Sequence, residues 1–219
     1  MSVKIKICGV RTPDIVETAS EAGADFIGFV LFDKSPRHVS LETARVLALA
    51  ARGRIRTAAV LVDPDDALID RLAEIVTPDL VQLHGNETPA RVASIKARTA
   101  RPVMKAIPVA AASDVARAEA YAEIADYILF DAKAVPGTVV PGGHGVPFDW
   151  RKLAGARSPF ALSGGLNAAN VAAAIGMTRA SLVDVSSGVE TAPGVKDPDL
   201  VRNFICAARF VGQQPAKAS

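Results

Sequence analysis

Pro159-Phe160-Ala161-Leu162-Ser163-Gly164-Gly165 is an apolar run closed by three small residues, and Leu182-Val183-Asp184-Val185-Ser186-Ser187-Gly188 repeats the pattern. Each small-residue turn follows an expected strand and precedes an expected helix. Glycine and serine let the backbone approach a ligand closely and aim N–H groups at it, and the start of a following helix favours negative charge. One such turn needs no ligand, because tight strand-to-helix turns use glycine anyway. Two in succession are what a phosphate site requires in a (β/α)8 barrel, after strands 7 and 8. Gly142-Gly143-His144-Gly145, in a long loop upstream, adds a third wall. The expected phosphate ligands are therefore backbone groups at Gly143, Gly145, Gly164, Gly165, Ser187 and Gly188.

Outward from this stretch, short β-branched runs alternate with longer Ala-rich amphipathic ones. Strands are expected over 3–7, 26–31, 57–62, 80–83, 103–107, 127–130, 160–162 and 182–185. Helices are expected over 13–22, 41–51, 65–76, 88–98, 113–122, 149–153, 168–175 and 198–211. Thr12-Pro13-Asp14, Ser40 with Thr43, Asp63-Pro64-Asp65 and Asp197-Pro198-Asp199 supply capping side chains or a first-turn proline. Alternating strands and helices imply a parallel sheet covered by helices, and eight units close a barrel. No composition break divides the chain, so one domain is expected over 1–212, followed by a polar tail over 213–219. The loop over 132–148 is long enough to suggest a function.

Of the 219 residues, 50% are hydrophobic and 22% charged, the balance of a globular chain with a sizeable core. A net charge of +2, 5% aromatics and no basic run give no reason to expect a nucleic-acid partner. No stretch approaches the roughly 18 apolar residues of a membrane span, and no signal segment opens the chain. Cys8 and Cys206 are too far apart in sequence to suggest a disulfide framework, so a reducing cytoplasm is the expected compartment.

In such a barrel, chemistry sits at the C-terminal ends of the strands. There the sequence places Cys8-Gly9, Asp33 to Arg37, Asp63, Gln82 with His84-Gly85, Pro108, Asp131, Ser163 to Gly165 and Asp184 to Gly188. Lys6 shares the face of Cys8 by strand alternation, one layer lower, and would tune the thiol. Asp63, before a proline, reads as a helix-entry device. Asp184 reads as a residue orienting a loop, and Cys206, among Phe204, Ile205 and Ala207, as packing. His38, His84 and His144 lie on three loops without ligand spacing, so no metal is expected. His84 reads as a hydrogen-bonding partner of Gln82. Lys105 and Lys133 leave open a phosphosugar lyase working through a Schiff base.

Lys6-Ile7-Cys8-Gly9, Ser35-Pro36-Arg37, Val81-Gln82-Leu83-His84-Gly85, Leu129-Phe130-Asp131, Gly142-Gly143-His144-Gly145 with Phe148-Asp149-Trp150, Leu162-Ser163-Gly164-Gly165-Leu166, Asp184-Val185-Ser186-Ser187-Gly188-Val189-Glu190 and Pro193-Gly194-Val195-Lys196-Asp197 follow one another in this order. The set, from about Lys4 to Phe204, resembles the phosphoribosylanthranilate isomerases of tryptophan biosynthesis. His144 stands where that family more often carries Thr or Ser. The resemblance implies an Amadori rearrangement of N-(5'-phosphoribosyl)anthranilate to 1-(2-carboxyphenylamino)-1-deoxyribulose 5-phosphate, without cofactor.

The resemblance also implies roles: Cys8 the general base and Asp131 the general acid. Arg37 becomes the partner of the anthranilate carboxylate, which its planar fork of donors matches with two parallel bonds. The base needs usable thiolate from a group that titrates near 8.5, and the acid needs a carboxyl kept protonated well above 3.9. The expected partner is this small phosphorylated molecule, and the expected assembly a monomer or homodimer. The alternatives are a histidine-pathway or dual-specificity isomerase, which uses an aspartate where this chain has Cys8, the lyase, and a phosphometabolite-binding module without turnover.

Overall fold

The computed structural model describes residues 3–132, 149–157 and 159–210. Gly142 to Gly145, Lys133, His144 and the tail over 213–219 lie outside the described residues. Eight parallel strands close in sequence order into a barrel: β1 (Lys4–Cys8), β2 (Phe26–Val30), β3 (Arg56–Leu61), β4 (Leu80–Leu83), β5 (Val103–Val109), β6 (Tyr127–Ala132), β7 (Ala161–Leu162) and β8 (Leu182–Val185). The seam between β1 and β8 sets Lys6 beside Asp184 in register.

Side-chain alternation sorts each strand between two environments. Phe26, Ala58, Leu80, Met104, Ala106, Leu129, Ala161 and Leu182 fill the lower barrel interior. Their neighbours Ile5, Ile7, Ile27, Phe29, Leu61, Val81 and Leu83 point outward and pack under the helices. Strands buried on both faces read as near-continuous apolar runs, as in Phe26–Val30. Polar interior positions, Lys6, Gln82, Asp131 and Asp184, lie above the apolar plug and are buried.

The helices are α1 (Pro13–Glu21), α2 (Leu41–Ala51), α3 (Asp66–Ile75), α4 (Pro89–Thr99), α5 (Val171–Thr178) and α6 (Pro198–Phe210). Ser40 caps α2 by accepting from Thr43 N at 3.1 Å, and Asp197 caps α6 by accepting from Leu200 N at 2.8 Å. The opposite, N-terminal rim uses one device three times. Asp25, Asp79 and Asp126 precede β2, β4 and β6 and accept from amides at the start of the neighbouring strands, Ile5 N (2.9 Å), Thr57 N (2.8 Å) and Val103 N (2.8 Å).

Several expectations are corrected. The helix expected over 113–122 is a 3-10 helix, Ala112–Tyr121, which buries only Val115 and so gains little from a regular amphipathic face. The turn over Trp150–Leu153 is also 3-10. α5 starts at Val171, later than expected, because Asn167 and Asn170 first form side-chain turns: Asn167 N donates to Asn170 Oδ1 and Ala169 N to Asn167 Oδ1, both at 2.9 Å. Asp63 is not the cap of α3; Asp65 is, accepting from Leu68 N at 2.8 Å. Asp63 instead holds a left-handed backbone (φ 45°) and accepts from Asn86 N at 2.7 Å, tying the β3 loop to the β4 loop. Beyond β8 lies a 3-10 turn (Ser187–Val189) and then a hairpin of β9 (Glu190–Ala192) and β10 (Val195–Lys196), which the sequence reading left out.

Lys105 faces away from the interior. It alternates with Met104 and Ala106, and its Nζ is bound to Glu87 Oε2 at 2.8 Å and Gly85 O at 2.7 Å. Glu87 in turn accepts from Asp63 N at 2.9 Å. A lysine so placed cannot meet a substrate in the barrel mouth, which removes the Schiff-base lyase through Lys105. Lys105→Met should lower stability by about 3 kcal/mol, because it strands a buried carboxylate, while kcat and KM stay near the parent. Denaturant titration beside a turnover assay checks this; a lost activity in folded protein would contradict it.

Candidate active site

Strand ends and the turns after them converge on one cavity at the C-terminal face, lined by Cys8, Arg37, Gln82, His84, Asp131, Gly164, Gly165, Asp184, Ser186 and Ser187. Cys8 ends β1 and Asp131 sits near the end of β6. Strand order puts β7 and β8 between them, so the two small-residue turns lie between thiol and carboxyl.

Beneath the thiol, Lys6 is fully buried and its Nζ donates to Asp184 Oδ1 at 2.9 Å. Opposite on β2 is Gly28; a Cβ there would stand 3.1 Å from Lys6 Nζ and 3.2 Å from Cys8 Sγ. The missing side chain leaves the space in which amine and thiol meet. Burial pushes the Cys8 thiol above its ordinary value, and Lys6 and, more weakly, Lys196 pull against that rise while Asp184 adds to it. Burial opposes the charge on Lys6, but Asp184 and then Cys8 outweigh it and hold the amine above its ordinary value. Asp184 is thus an interior anchor for Lys6 facing the cavity, and not a residue orienting a loop.

Asp131 is held by a chain of three side chains. Gln82 Nε2 lies 3.1 Å from His84 Nδ1, and His84 Nε2 lies 3.0 Å from Asp131 Oδ2. The His84 ring thus bridges the Gln82 amide and the Asp131 carboxyl, one ring nitrogen to each. His84 is therefore the partner of Gln82 that was expected, and it also links Gln82 to Asp131.

Arg37 is buried in the wall with its fork on Glu190: Nε donates to Oε1 and Nη2 to Oε2, each at 2.8 Å. Lys196 Nζ also donates to Glu190 Oε1. Burial works against the Glu190 carboxylate, yet Arg37 and Lys196 hold its pKa below the usual range. Glu190 and Lys196 were missed as site residues. The Pro193-Gly194 turn between two short runs was the available signal.

In the turn after β7, Gly164 and Gly165 have φ of 92° and 66°, the left-handed region that side chains avoid. A Cβ on Gly164 would stand 2.6 Å from Ala132 N. Among the described residues, neither glycine N–H has a protein acceptor. Ser187 opens the short 3-10 turn, where an N–H has no acceptor within the helix. α5 starts only at Val171, so the turn itself, and not the helix end, presents these donors. Gly188 does not line the cavity; its Cβ would fall 1.9 Å from Leu166 O, so it lets the two turns touch. Gly143 and Gly145 lie outside the described residues. Among the described residues no group of three or more His, Cys, Asp or Glu side chains is arranged to hold a metal.

Fold and site define a (β/α)8 barrel with a cavity of ionisable side chains and small-residue turns at its C-terminal face. The family model of N-(5'-phosphoribosyl)anthranilate (PRA) isomerase matches residues 5–207. The N-(5'-phosphoribosyl)anthranilate isomerases of Rhodopseudomonas palustris and Azorhizobium caulinodans are 55% and 52% identical over 95% of this chain, covering 97% and 92% of their own lengths. The crystal structure of the Thermotoga maritima phosphoribosyl anthranilate isomerase superposes with TM-score 0.84 at 36% identity, covering 95% of this chain and 99% of that one. A further structure of such an isomerase, in complex with reduced 1-(o-carboxyphenylamino)-1-deoxyribulose 5-phosphate, gives TM-score 0.82 at 35% identity, with the same coverage. The chain belongs to the phosphoribosylanthranilate isomerase family, and its activity is the isomerisation of N-(5'-phosphoribosyl)anthranilate in tryptophan biosynthesis.

The raised thiol has a pH consequence. A group whose pKa is higher folded than unfolded adds stability that is complete below the unfolded value and is lost as pH rises through the folded one. In a Cys206→Ser background, iodoacetamide labelling of ligand-free Cys8 should inflect above the ordinary thiol value of about 8.5. An inflection below it would contradict the burial argument.

Proposed function

We propose that Asp131 is the general acid and Cys8 the general base of the isomerisation, with Arg37 binding the anthranilate carboxylate and the N–H groups at Gly164, Gly165 and Ser187 binding the phosphate. Asp131 protonates the furanose ring oxygen; the C1'–O bond breaks as the nitrogen lone pair forms an iminium ion. The Cys8 thiolate then removes the C2' proton, and the electrons of that C–H bond neutralise the iminium as an enolamine. Tautomerisation gives the aminoketose. One acid and one base suffice, so the reaction needs no cofactor.

The observation that carries this reading is the arrangement along the barrel, with thiol and carboxyl on either side of the two small-residue turns and in one cavity. Lys6 supports the thiolate against burial, and His84 fixes the orientation of the Asp131 carboxyl. Gly143 and Gly145 complete the phosphate side of the site in this reading, and Gly188, outside the cavity, keeps the two turns in contact. The carboxylate of the substrate meets Arg37 while the guanidinium stays bound to Glu190. The chain works in the cytoplasm as one domain over 1–212 with a tail over 213–219, as a monomer or homodimer. Among the described residues no helix is long and apolar enough to cross a membrane.

A fluorescence assay following loss of phosphoribosylanthranilate tests the roles. Cys8→Ser and Asp131→Asn should each lower kcat by about a hundredfold or more with the fold intact. Retained turnover in either variant would overturn the assignment. Arg37→Lys should raise KM about tenfold, since a single amine replaces the five donors that the guanidinium spreads around its plane, two of them on Glu190, while inhibition by inorganic phosphate changes far less. Equal losses for substrate and phosphate would count against Arg37 as the carboxylate ligand.

A further inference from the structure

We propose that Lys196 is a positioning residue for Cys8, a second cation that the hairpin of β9 and β10 ties through Ser186 to the Cys8 backbone. The hairpin turns at Pro193-Gly194 and lies against the loop after β2: a Cβ on Gly194 would meet Pro36 O at 2.5 Å. From its last residue, Lys196 reaches back into the protein, and its side chain is 2% exposed. Its Nζ donates to Ser186 O at 3.2 Å and to Ser186 Oγ at 3.3 Å, and Ser186 Oγ donates to Cys8 O at 3.1 Å. One hydroxyl thus links the amine to the residue that bears the thiol. Glu190 accepts from the Arg37 fork and from Lys196 together, which ties the hairpin cation to the wall of the cavity. A short hairpin that buries a lysine gains nothing in packing that an apolar residue of similar size would not supply.

The charged groups facing Cys8 are Lys6 on β1, Asp184 on β8 and Lys196 on β10, with Arg37 from the loop after β2, His84 and Asp131 around the same cavity and Glu190 behind Arg37. Lys6 and Lys196 both favour the thiolate. Lys6 shares its charge with Asp184 from below; Lys196 shares its own with Glu190 from the side. Burial lowers the pKa of the Lys196 amine despite Glu190, so this cation weakens first as pH rises. The consequence for catalysis rests on Cys8 being the base; the effect on the thiol does not.

The test uses the full chain carrying Cys206→Ser, so that one thiol reports. The rate of iodoacetamide labelling of Cys8 is followed against pH in Lys196→Met, Lys196→Gln and Lys196→Arg, each checked by thermal melting. Lys196→Gln retains a donor for Glu190 and Ser186 but no charge. The inflection should rise by about half a pH unit or more in the Met and Gln variants and stay near the parent in Lys196→Arg. In the turnover assay the Gln variant should lose kcat more than it raises KM, with the pH optimum moved upward. If Lys196→Met does not fold, the Gln and Arg variants decide. Unchanged labelling in folded Lys196→Gln would overturn the proposal, as would an equal shift in Lys196→Arg or loss of folding in all three, which is the behaviour of a purely structural lysine. Labelling needs no substrate. A parent chain without isomerase turnover would therefore sink the catalytic roles of Cys8 and Asp131 and leave the effect of Lys196 on the thiol to be read by itself.

Discussion

The ion pair of Lys6 with Asp184 crosses the seam where the last strand meets the first, and the rest of the site is built around it. Both groups are buried in the barrel, where an unpaired charge would be strongly unfavourable. Their pairing therefore sets how β1 and β8 meet in the interior and brings the two strand ends level. Cys8 follows Lys6 by one alternation on β1, and Ser186 follows Asp184 by two residues, just past the end of β8. The thiol and the start of the second small-residue turn are thus fixed by the same contact.

Above that pair the site divides by charge. Thiol and amines gather on the β1 and β8 side, with Lys6 below and Lys196 beside Cys8. The β4 and β6 side carries the carboxyl of Asp131 with His84 and Gln82. Between them the turns after β7 and β8 present N–H groups instead of side-chain cations. In the proposed mechanism a dianion is gripped there without a further lysine or arginine between Cys8 and Asp131. The left-handed glycines at 164 and 165, and the close contact of Gly188 with Leu166, are the backbone cost of keeping the two turns this near one another.

Much of this was legible in the sequence, and the parts that were not have a common cause. Eight strands could be read because runs such as Phe26–Val30 are apolar on both faces. The two turns could be read because Ser163-Gly164-Gly165 and Ser186-Ser187-Gly188 are local patterns. Alternation alone put Lys6 under Cys8. Its partner Asp184, however, is 178 residues away in sequence, and only barrel closure brings them together. The pairing of Arg37 with Glu190 is hidden for the same reason, since a fork with a fitting carboxylate in the folded chain looks unpaired in the sequence. α5 began late because two asparagines competed for the backbone, which propensity over a window does not capture. Lys105 was ambiguous until the parity of β5 was known; one step along a strand separates a substrate-facing amine from one under the helices.

The central claim is spatial: a phosphate held by the turns after β7 and β8 sets the sugar between Cys8 and Asp131. Its most direct test is a crystal structure of this chain with reduced 1-(o-carboxyphenylamino)-1-deoxyribulose 5-phosphate. The account predicts phosphate oxygens on the N–H groups of Gly164, Gly165 and Ser187 and the carboxylate at Arg37. It predicts the Cys8 sulfur and the Asp131 carboxyl on either side of the first two sugar carbons. A phosphate bound elsewhere, or both groups on the same side of the sugar, would contradict it.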